Sequence, residues 1–297
     1  MIELRVLRYF LTVAREGTIS QAADILHITQ PTLSRQLAQM ESDLGVALFR
    51  HQGRRLLLTS EGMLLRRRAE EIFELVDKTE QELLEQEELL EGTVVVGLGE
   101  YRAMVDLADC VADFSKRYPN VRFLMFSATG DVVKGRMDRG LIDVGLVTEP
   151  IDVENYDYIP INGVERSGVL MRADDPLARK EFIAPEDLAG KPLMLPNRYQ
   201  SQYRNWMGPW FEEKNVRYLG TLPTMGAILA SKGLAYMIAI EDCLPFCDPA
   251  KLVMRPLEGN MHNRCLLAWK RGQPFSRAAE QFIEHTKCFL GRKGISD

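Results

Sequence analysis

Thr29-Gln30-Pro31-Thr32-Leu33-Ser34-Arg35-Gln36-Leu37-Ala38-Gln39-Met40-Glu41-Ser42-Asp43-Leu44-Gly45 reads as one helix with a capped start and a marked stop. Thr29 is placed to cap it, and Pro31 is tolerated in the first turn, where no amide donor is needed. Gly45 supplies the stop. Leu33, Leu37, Met40 and Leu44 follow steps of 4, 3 and 4, which puts them on one face. Pro31, Ser34, Arg35 and Ala38 fall on or near the opposite face. A face of small, polar and basic residues suits the major groove of duplex DNA: carboxylates there would repel phosphate, whereas Gln30, Ser34 and Arg35 can reach base edges or backbone oxygens. A polar stripe taken alone is more often simply solvated, so the neighbouring segments decide.

Upstream, Leu4, Leu7, Leu11 and Ala14 recur at helical spacing and Gly17 ends that helix. Thr18 or Ser20 can cap a second, short helix through Ala22, Ala23 and Leu26, followed by the turn His27-Ile28. Downstream, Leu48-Phe49, then Arg50-His51-Gln52-Gly53-Arg54-Arg55, then Leu56-Leu57-Leu58-Thr59 reads as a β-hairpin with a basic turn, and a hairpin beside a helix-turn-helix is a wing. Residues 1–58 hold seven Arg against five Asp and Glu, a balance of +2 inside a chain of net charge -5, so charge permits nucleic acid without demanding it. All ten basic residues before Lys78 are arginine, which forks onto phosphates and guanine edges.

The run Ala22-Ala23, Leu26, Thr29-Gln30-Pro31, Ser34-Arg35-Gln36, Glu41, Leu44-Gly45, Leu48-Phe49, Gly53-Arg54, Leu58-Thr59 and Gly62 resembles the DNA-binding head of the LysR-type transcriptional regulators. The resemblance implies that Gln30, Pro31, Ser34 and Arg35 face the groove and that Arg54 lies over the adjoining minor groove. With them, Ser20, Gln21, Thr29, Thr32, Arg50 and Arg55 complete the candidate DNA contacts. His51 stands where the family usually has arginine and Met40 where it usually has leucine. The first change removes charge from the wing; the second is a conservative filler.

Residues 59–91 form the next segment, without proline and with glycine only at Gly62, rich in Glu, Leu, Arg and Gln, which predicts one long helix. Leu65, Ala69, Ile72, Val76, Thr79, Leu83, Gln86 and Leu90 alternate in steps of 4 and 3, a heptad seam that calls for a partner helix. The candidate dimerisation residues are Leu65, Ala69, Ile72, Val76 and Leu83. The resemblance implies an antiparallel pair, and beyond it a homodimer or homotetramer.

From residue 92 to 297 short apolar runs alternate with helical stretches, as in α/β folds. Strands are expected at Thr93–Gly97, Val121–Phe126 and Ile142–Val147, and helices at Ala103–Tyr118 and Asp131–Arg139. Gly97-Leu98-Gly99 invites a dinucleotide-binding reading, but Arg102 stands where that fingerprint needs its next glycine. The layout resembles instead the family's effector-binding region, two lobes akin to periplasmic solute-binding proteins, which implies lobe I at about 92–161 and 266–297 and lobe II at about 162–265. Crossover strands are expected near Ile159–Asn162 and Cys265–Trp269. The fold class is therefore α/β with an N-terminal winged helix-turn-helix and a long linker helix.

In open α/β sheets a ligand sits beyond the carboxyl ends of strands, where helix N-termini aim amides inward. That selects the strand ends Gly99–Arg102, Ser127–Thr129 and Thr148–Glu149, the loop Arg198–Gln202 and Thr224–Met225, and within them Gly99, Glu100, Tyr101, Arg102, Ser127, Thr129, Thr148, Arg198, Ser201, Gln202 and Thr224 as candidate effector contacts, each of which could equally be a cap or turn residue. Thr129-Gly130-Asp131 in particular reads as a helix cap or as a ligand contact. Glu100, where the family often has a small hydroxyl residue, calls for a ligand with a donor or positive group. Arg102 and Arg198 call for a carboxylate, and both alternatives stand.

Other functions find less support. His27, His51, His262 and His285 are scattered, and no HExxH, GxSxG or GxxxxGK[ST] run occurs, so an enzyme has no set of convergent groups. Neither a metal nor another cofactor is called for. The cysteines Cys110, Cys243, Cys247, Cys265 and Cys288 are odd in number and include no CxxC pair; a redox role would fall to Cys243 and Cys247, around Leu244-Pro245-Phe246. No apolar stretch approaches the roughly 20 residues that cross a bilayer, and Met1-Ile2-Glu3-Leu4-Arg5 is charged where a signal peptide is apolar. The sequence thus predicts a cytoplasmic, ligand-responsive regulator binding double-stranded DNA and a small-molecule effector, with RNA polymerase as a further partner if it activates.

Overall fold

The computed structural model describes residues 2–52, 55–84, 90–240, 243, 247–259 and 262–292. The chain divides into two compact units, Met1–Leu83 and Leu84–Asp297.

The first unit holds α1 (Leu4–Glu16), α2 (Ile19–Ile25), α3 (Gln30–Leu44), the hairpin β1 (Phe49–Gln52) and β2 (Arg55–Leu58), and nearly all of α4 (Ser60–Leu84). Gly17 and Gly45 close α1 and α3 at φ of 72° and 70°, in the left-handed region that glycine enters without steric cost. Thr18 caps α2 by accepting the Gln21 amide, and Thr29 caps α3 by accepting that of Thr32. The core takes Val6, Leu7, Phe10 and Val13 from α1, Ala22 and Ala23 from α2, and Leu33, Leu37 and Met40 from α3. The face of α1 is therefore rotated from the expected Leu4-Leu7-Leu11-Ala14 stripe: Leu4 is 48% exposed, while Phe10 and Val13 are fully buried. Leu44 likewise emerges at the end of α3.

Glu41 ties α3 to the wing by accepting the amides of Leu48 at 2.6 Å and Phe49 at 3.1 Å. Thr59 donates its hydroxyl to the Ala47 carbonyl and accepts the Gly62 amide, which fixes the start of α4. Gly62 passes so close to the Leu48 backbone that a Cβ would lie 2.1 Å from that carbonyl oxygen. Ala69, fully buried, and half-buried Leu65 and Phe73 pack α4 against the same core. Ala69 thus keeps no surface to offer a partner helix; Ile72, at 41% exposure, and half-buried Val76 keep theirs. The side chain of Leu83 lies outside the described residues.

The second unit contains β3 (Gly92–Leu98), α5 (Ala103–Arg117), β4 (Val121–Ser127), α6 (Gly130–Asp138), β5 (Val144–Thr148), β6 (Tyr156–Arg172), β7 (Leu193–Pro196), α7 (Gln200–Met207), β8 (Val216–Gly220), α8 (Pro223–Ser231), β9 (Tyr236–Ile240), β10 (Leu252–Pro256), β11 (His262–Lys270) and α9 (Arg277–Arg292). Strand order runs β4-β3-β5-β11-β6-β9-β7-β8, with β10 also on β6. The first half of β6 pairs antiparallel with β11 and its last residues with β9 and β10, so one continuous strand passes from one lobe into the other. Parallel β3, β4 and β5 carry α5, α6 and α9 in the first lobe; β7, β8 and β9 carry α7 and α8 in the second.

Gly97 and Gly145 lie side by side on β3 and β5, beneath α6. A Cβ on either would come within 3 Å of Val133, and also of Ile142 or Met137, so these glycines seat a helix on the sheet. Gly99, the other glycine of the dinucleotide-like run, is covered by the Tyr101 ring. Among the described residues no helix is long and apolar enough to cross a membrane.

Removing the Glu41 carboxylate leaves two amides of the α3–wing junction without their acceptor. Glu41→Ala is expected to lower stability by about 2 kcal/mol, on the scale of hydrogen bonds to a charged group, and Glu41→Gln by less, as read by the urea midpoint of the full chain.

Candidate functional site

The helix-turn-helix has one buried and one open face. While Leu33, Leu37 and Met40 are buried, Thr29, Gln30, Pro31, Thr32, Ser34, Arg35 and Ala38 are all exposed. Ser20 and Gln21 are exposed on α2, and Ser20 donates to Gln30 across the turn at 3.2 Å, which fixes the side-chain amide at the start of α3. Arg50 and His51 are exposed on β1, and Arg55 on β2; Arg54 lies outside the described residues. Five other arginines of the unit are already engaged: Arg5 with Glu3, Arg15 with Glu16, Arg66 with Glu70, Arg68 with Glu71, and Arg8 over the Phe73 ring. Arg35, Arg50 and Arg55 form no ion pair among the described residues. Uncompensated positive charge therefore collects on the face where α3 and the hairpin are open, with hydroxyl and amide side chains among it.

In the second unit the carboxyl ends of β3 and β5 meet the segment after β7 across a cleft. Glu100, Tyr101, Thr129 and Arg198 line it, with Asn197, Tyr199, Tyr203 and the apolar Met194, Leu222, Pro223, Met237 and Ala239. The free space between them is about 70 Å³. Thr148 is fully buried behind it, and its Oγ1 lies 2.6 Å from the Tyr199 hydroxyl and 3.5 Å from that of Tyr101. Burial raises the hydroxyl pKa of Tyr101 and Tyr199, and pushes that of Tyr203 up to about 12, so all three stay protonated at neutral pH.

Arg198 reaches over the N-terminus of α6, so close to Gly130 that a Cβ there would meet Nη1 at 2.5 Å. Its Nη2 donates to the Pro150 carbonyl and sits 3.4 Å from Asp131, while its Nη1 is buried with no hydrogen-bond partner among the described residues. Thr129 precedes α6, yet its side chain makes no capping bond.

Four of the sequence-selected residues, Glu100, Tyr101, Thr129 and Arg198, thus converge on one cavity. Thr224 meets Glu100 across the cleft. Ser201 and Gln202 line a separate, wide hollow with Asn205 and Asn263. Arg102 and Ser127 are exposed and do not line the cavity, and Gly99 is buried under Tyr101. Asn197, Tyr203, Met194, Met237 and Cys243 are cavity residues outside the stretches the sequence marks for a ligand, and Tyr199 lies inside the marked loop Arg198–Gln202. Met194, Met237 and Cys243 carry only the pattern of core residues.

The thiols fit a redox role poorly. Cys243 is buried and burial raises the Cys247 pKa, whereas a reactive cysteine needs its thiolate favoured. Leu244-Pro245-Phe246 lies outside the described residues.

Family models match both parts of the chain: the bacterial regulatory helix-turn-helix protein of the lysR family over residues 4–63, and the LysR substrate binding domain over residues 87–290. An uncharacterized HTH-type transcriptional regulator of Bacillus subtilis (strain 168), YybE, is 28% identical over 293 residues, covering 96% of this chain and 98% of its own. The Hca operon transcriptional activator HcaR of Escherichia coli (strain K12) is 27% identical over 280 residues, covering 92% and 93%. Among solved structures, full-length CbnR complexed with its target DNA matches with a TM-score of 0.71 at 20% identity, covering 97% of this chain and all of that one. The chain belongs to the LysR family, as a LysR-type helix-turn-helix transcriptional regulator with an effector-binding domain.

Proposed function

We propose that α3 and the wing read a specific sequence in double-stranded DNA, that the interlobe cleft takes a small-molecule effector, and that the chain works as a homodimer or homotetramer. The observation that carries the DNA reading is the sorting of arginines: Arg35, Arg50 and Arg55 on the open face of α3 and the hairpin are uncompensated, while Arg5, Arg8, Arg15, Arg66 and Arg68 of the same unit are held by glutamates or an aromatic ring. Gln30, Pro31, Ser34 and Arg35 face base edges; Ser20, Gln21, Thr29, Thr32, Arg50, Arg54 and Arg55 position the head on phosphates and the minor groove. The structural likeness to CbnR, solved on its target DNA, supports this placement. An activator of this kind would also touch RNA polymerase. The reading includes no catalytic step, and the two parts of the chain fall at about 1–58 and 92–297 with the linker helix between.

Self-association rests on apolar surface. On α4, Met63, Leu64, Ile72 and Leu75 are exposed. In the second unit Val105, Leu124 and Met125 are exposed around the edge strand β4, and Leu219, Met225 and Ile228 around the edge strand β8. Patches of this kind at both ends of one sheet fit contacts between copies.

Selection from a random oligonucleotide pool by the full-length protein is expected to return an enriched, near-palindromic motif, with affinity falling steeply as salt rises. Arg35→Ala should cost about 1 to 3 kcal/mol and relax one or two base positions; a pool left without enrichment at moderate salt counts decisively against the reading. Ile72→Asp places a charge on the free part of the seam without touching the head's core. Analytical ultracentrifugation should show it dissociating to smaller species at concentrations where the wild type is dimeric or larger, and a monomeric wild type at micromolar concentration would contradict the oligomer.

A further inference from the structure

Helix α8 begins without a cap of its own, because Leu222 stands at the capping position and has no acceptor. The acceptor comes from the other lobe. Glu100, beyond the end of β3, places Oε2 at 2.6 Å from the Thr224 hydroxyl and 3.2 Å from the Thr224 amide, so one carboxylate oxygen accepts both hydrogens. A negative charge at this end of the helix also meets the positive end of its dipole. Two further contacts span the cleft, Tyr199 with Thr148 and Arg198 with Pro150.

The enclosed space reflects this closure. About 70 Å³ remains, whereas small-molecule sites run from roughly 300 Å³ upward. The cleft is thus shut on one of the chain's own carboxylates, leaving little room for anything else. A second group on the same cavity keeps an open donor: Arg198 Nη1 is buried without a hydrogen-bond partner among the described residues, while Nη2 lies 3.4 Å from Asp131. Thr224 is exposed and Glu100 only half-buried, so the carboxylate can leave for solvent without stranding a charge in the interior.

We propose that Glu100 is a tethered occupant of the cleft: its carboxylate holds the lobes closed in the absence of effector, and the effector is a small organic acid that sets its own carboxylate on Thr224 in place of Glu100. The apolar wall of Met194, Leu222 and Pro223 takes the acid's hydrocarbon body. This rests on the cleft being the effector site. It also resolves the opposed demands of Glu100 and Arg198, because Glu100 is the group the ligand displaces and contributes no contact to the bound acid.

The test uses hydrogen–deuterium exchange of the full-length protein at residues 145–152 and 198–204, which bond to each other across the cleft and form no hydrogen bond with Glu100. Glu100→Ala is expected to raise exchange in both segments about tenfold, the scale of losing a hydrogen bond to a charged group. Millimolar propionate should return it towards the wild-type rate, and propanol should not. Glu100→Gln, which keeps an acceptor but loses the charge, should give a smaller rise and carries the test if the alanine variant does not fold, as judged by circular dichroism. Unchanged exchange in both segments, or exchange that propionate leaves raised, overturns the proposal. DNA selection on the same wild-type preparation separates the failures, because an enriched motif beside an unopened cleft defeats the latch alone.

Discussion

Backbone hydrogen bonding along β6 governs what the second unit can do. Its 17 residues span about 55 Å when extended, longer than one lobe needs, and every part must find partners for its amides and carbonyls. β11 supplies them in the first lobe, β9 and β10 in the second. Near the crossing the β6–β11 register shifts between Arg264 and Cys265, and the nearby buried polar groups pair locally: Asn263 with Ser167, and Ser167 with Tyr203. Fully buried Ile161 and Cys265 pin that region in the core. The lobes can therefore open about this pair of strands but not slide apart, and the ends of β3 and β5 stay aimed at the segment after β7.

The first unit solves a different problem with few residues. A head of this size must bury one face of each helix while leaving the face of α3 free of side chains that repel phosphate. Carboxylates are accordingly placed where they serve the fold. Glu41 points back to the wing, and Glu3, Glu16, Glu70 and Glu71 hold arginines away from the open face. A surface ion pair contributes little stability, so the consequence of these pairs is electrostatic: they decide which arginines remain to meet an anion.

Local chemistry was legible in the sequence wherever it is self-contained. Thr18, Thr29, Gly17 and Gly45 act through their own backbone neighbourhoods, so caps and stops could be read directly, as could the alternation of strands and helices after Gly92. The burial phase of α1 was not, since which of Leu4, Leu7, Phe10 and Val13 turns inward depends on what α2 and α3 present to it. The same limit affects α4: spacing alone makes Leu65 and Ala69 seam residues, but the head reaches them first. In the cleft, residue type at a strand end marked Glu100, Thr129 and Arg198. It did not foresee that Tyr199, inside the marked loop Arg198–Gln202, bonds to Thr148, 51 residues away. Nor did it foresee that Glu100 and Thr224, 124 residues apart, bond to each other. Pairings across such separations are set by topology, and a one-dimensional pattern does not carry them.

Opening and closing of the cleft is consequently a balance between small terms. Each hydrogen bond across it contributes about 1 kcal/mol net, more where a charge is involved, so three such contacts favour closure by a few kcal/mol. Moving a two-state equilibrium from one side to the other takes about 5.5 kcal/mol of differential affinity, which is the same order. An interaction much stronger than these would lock the lobes against any millimolar metabolite, and a much weaker one would leave the closed state undefined. Solvent access to Glu100 and Thr224 keeps that contact in the modest range, whereas burial of Thr148 and Tyr199 makes theirs depend on the lobes being already together. Loss of the first contact therefore weakens the second, and the proposed displacement of Glu100 depends on that coupling.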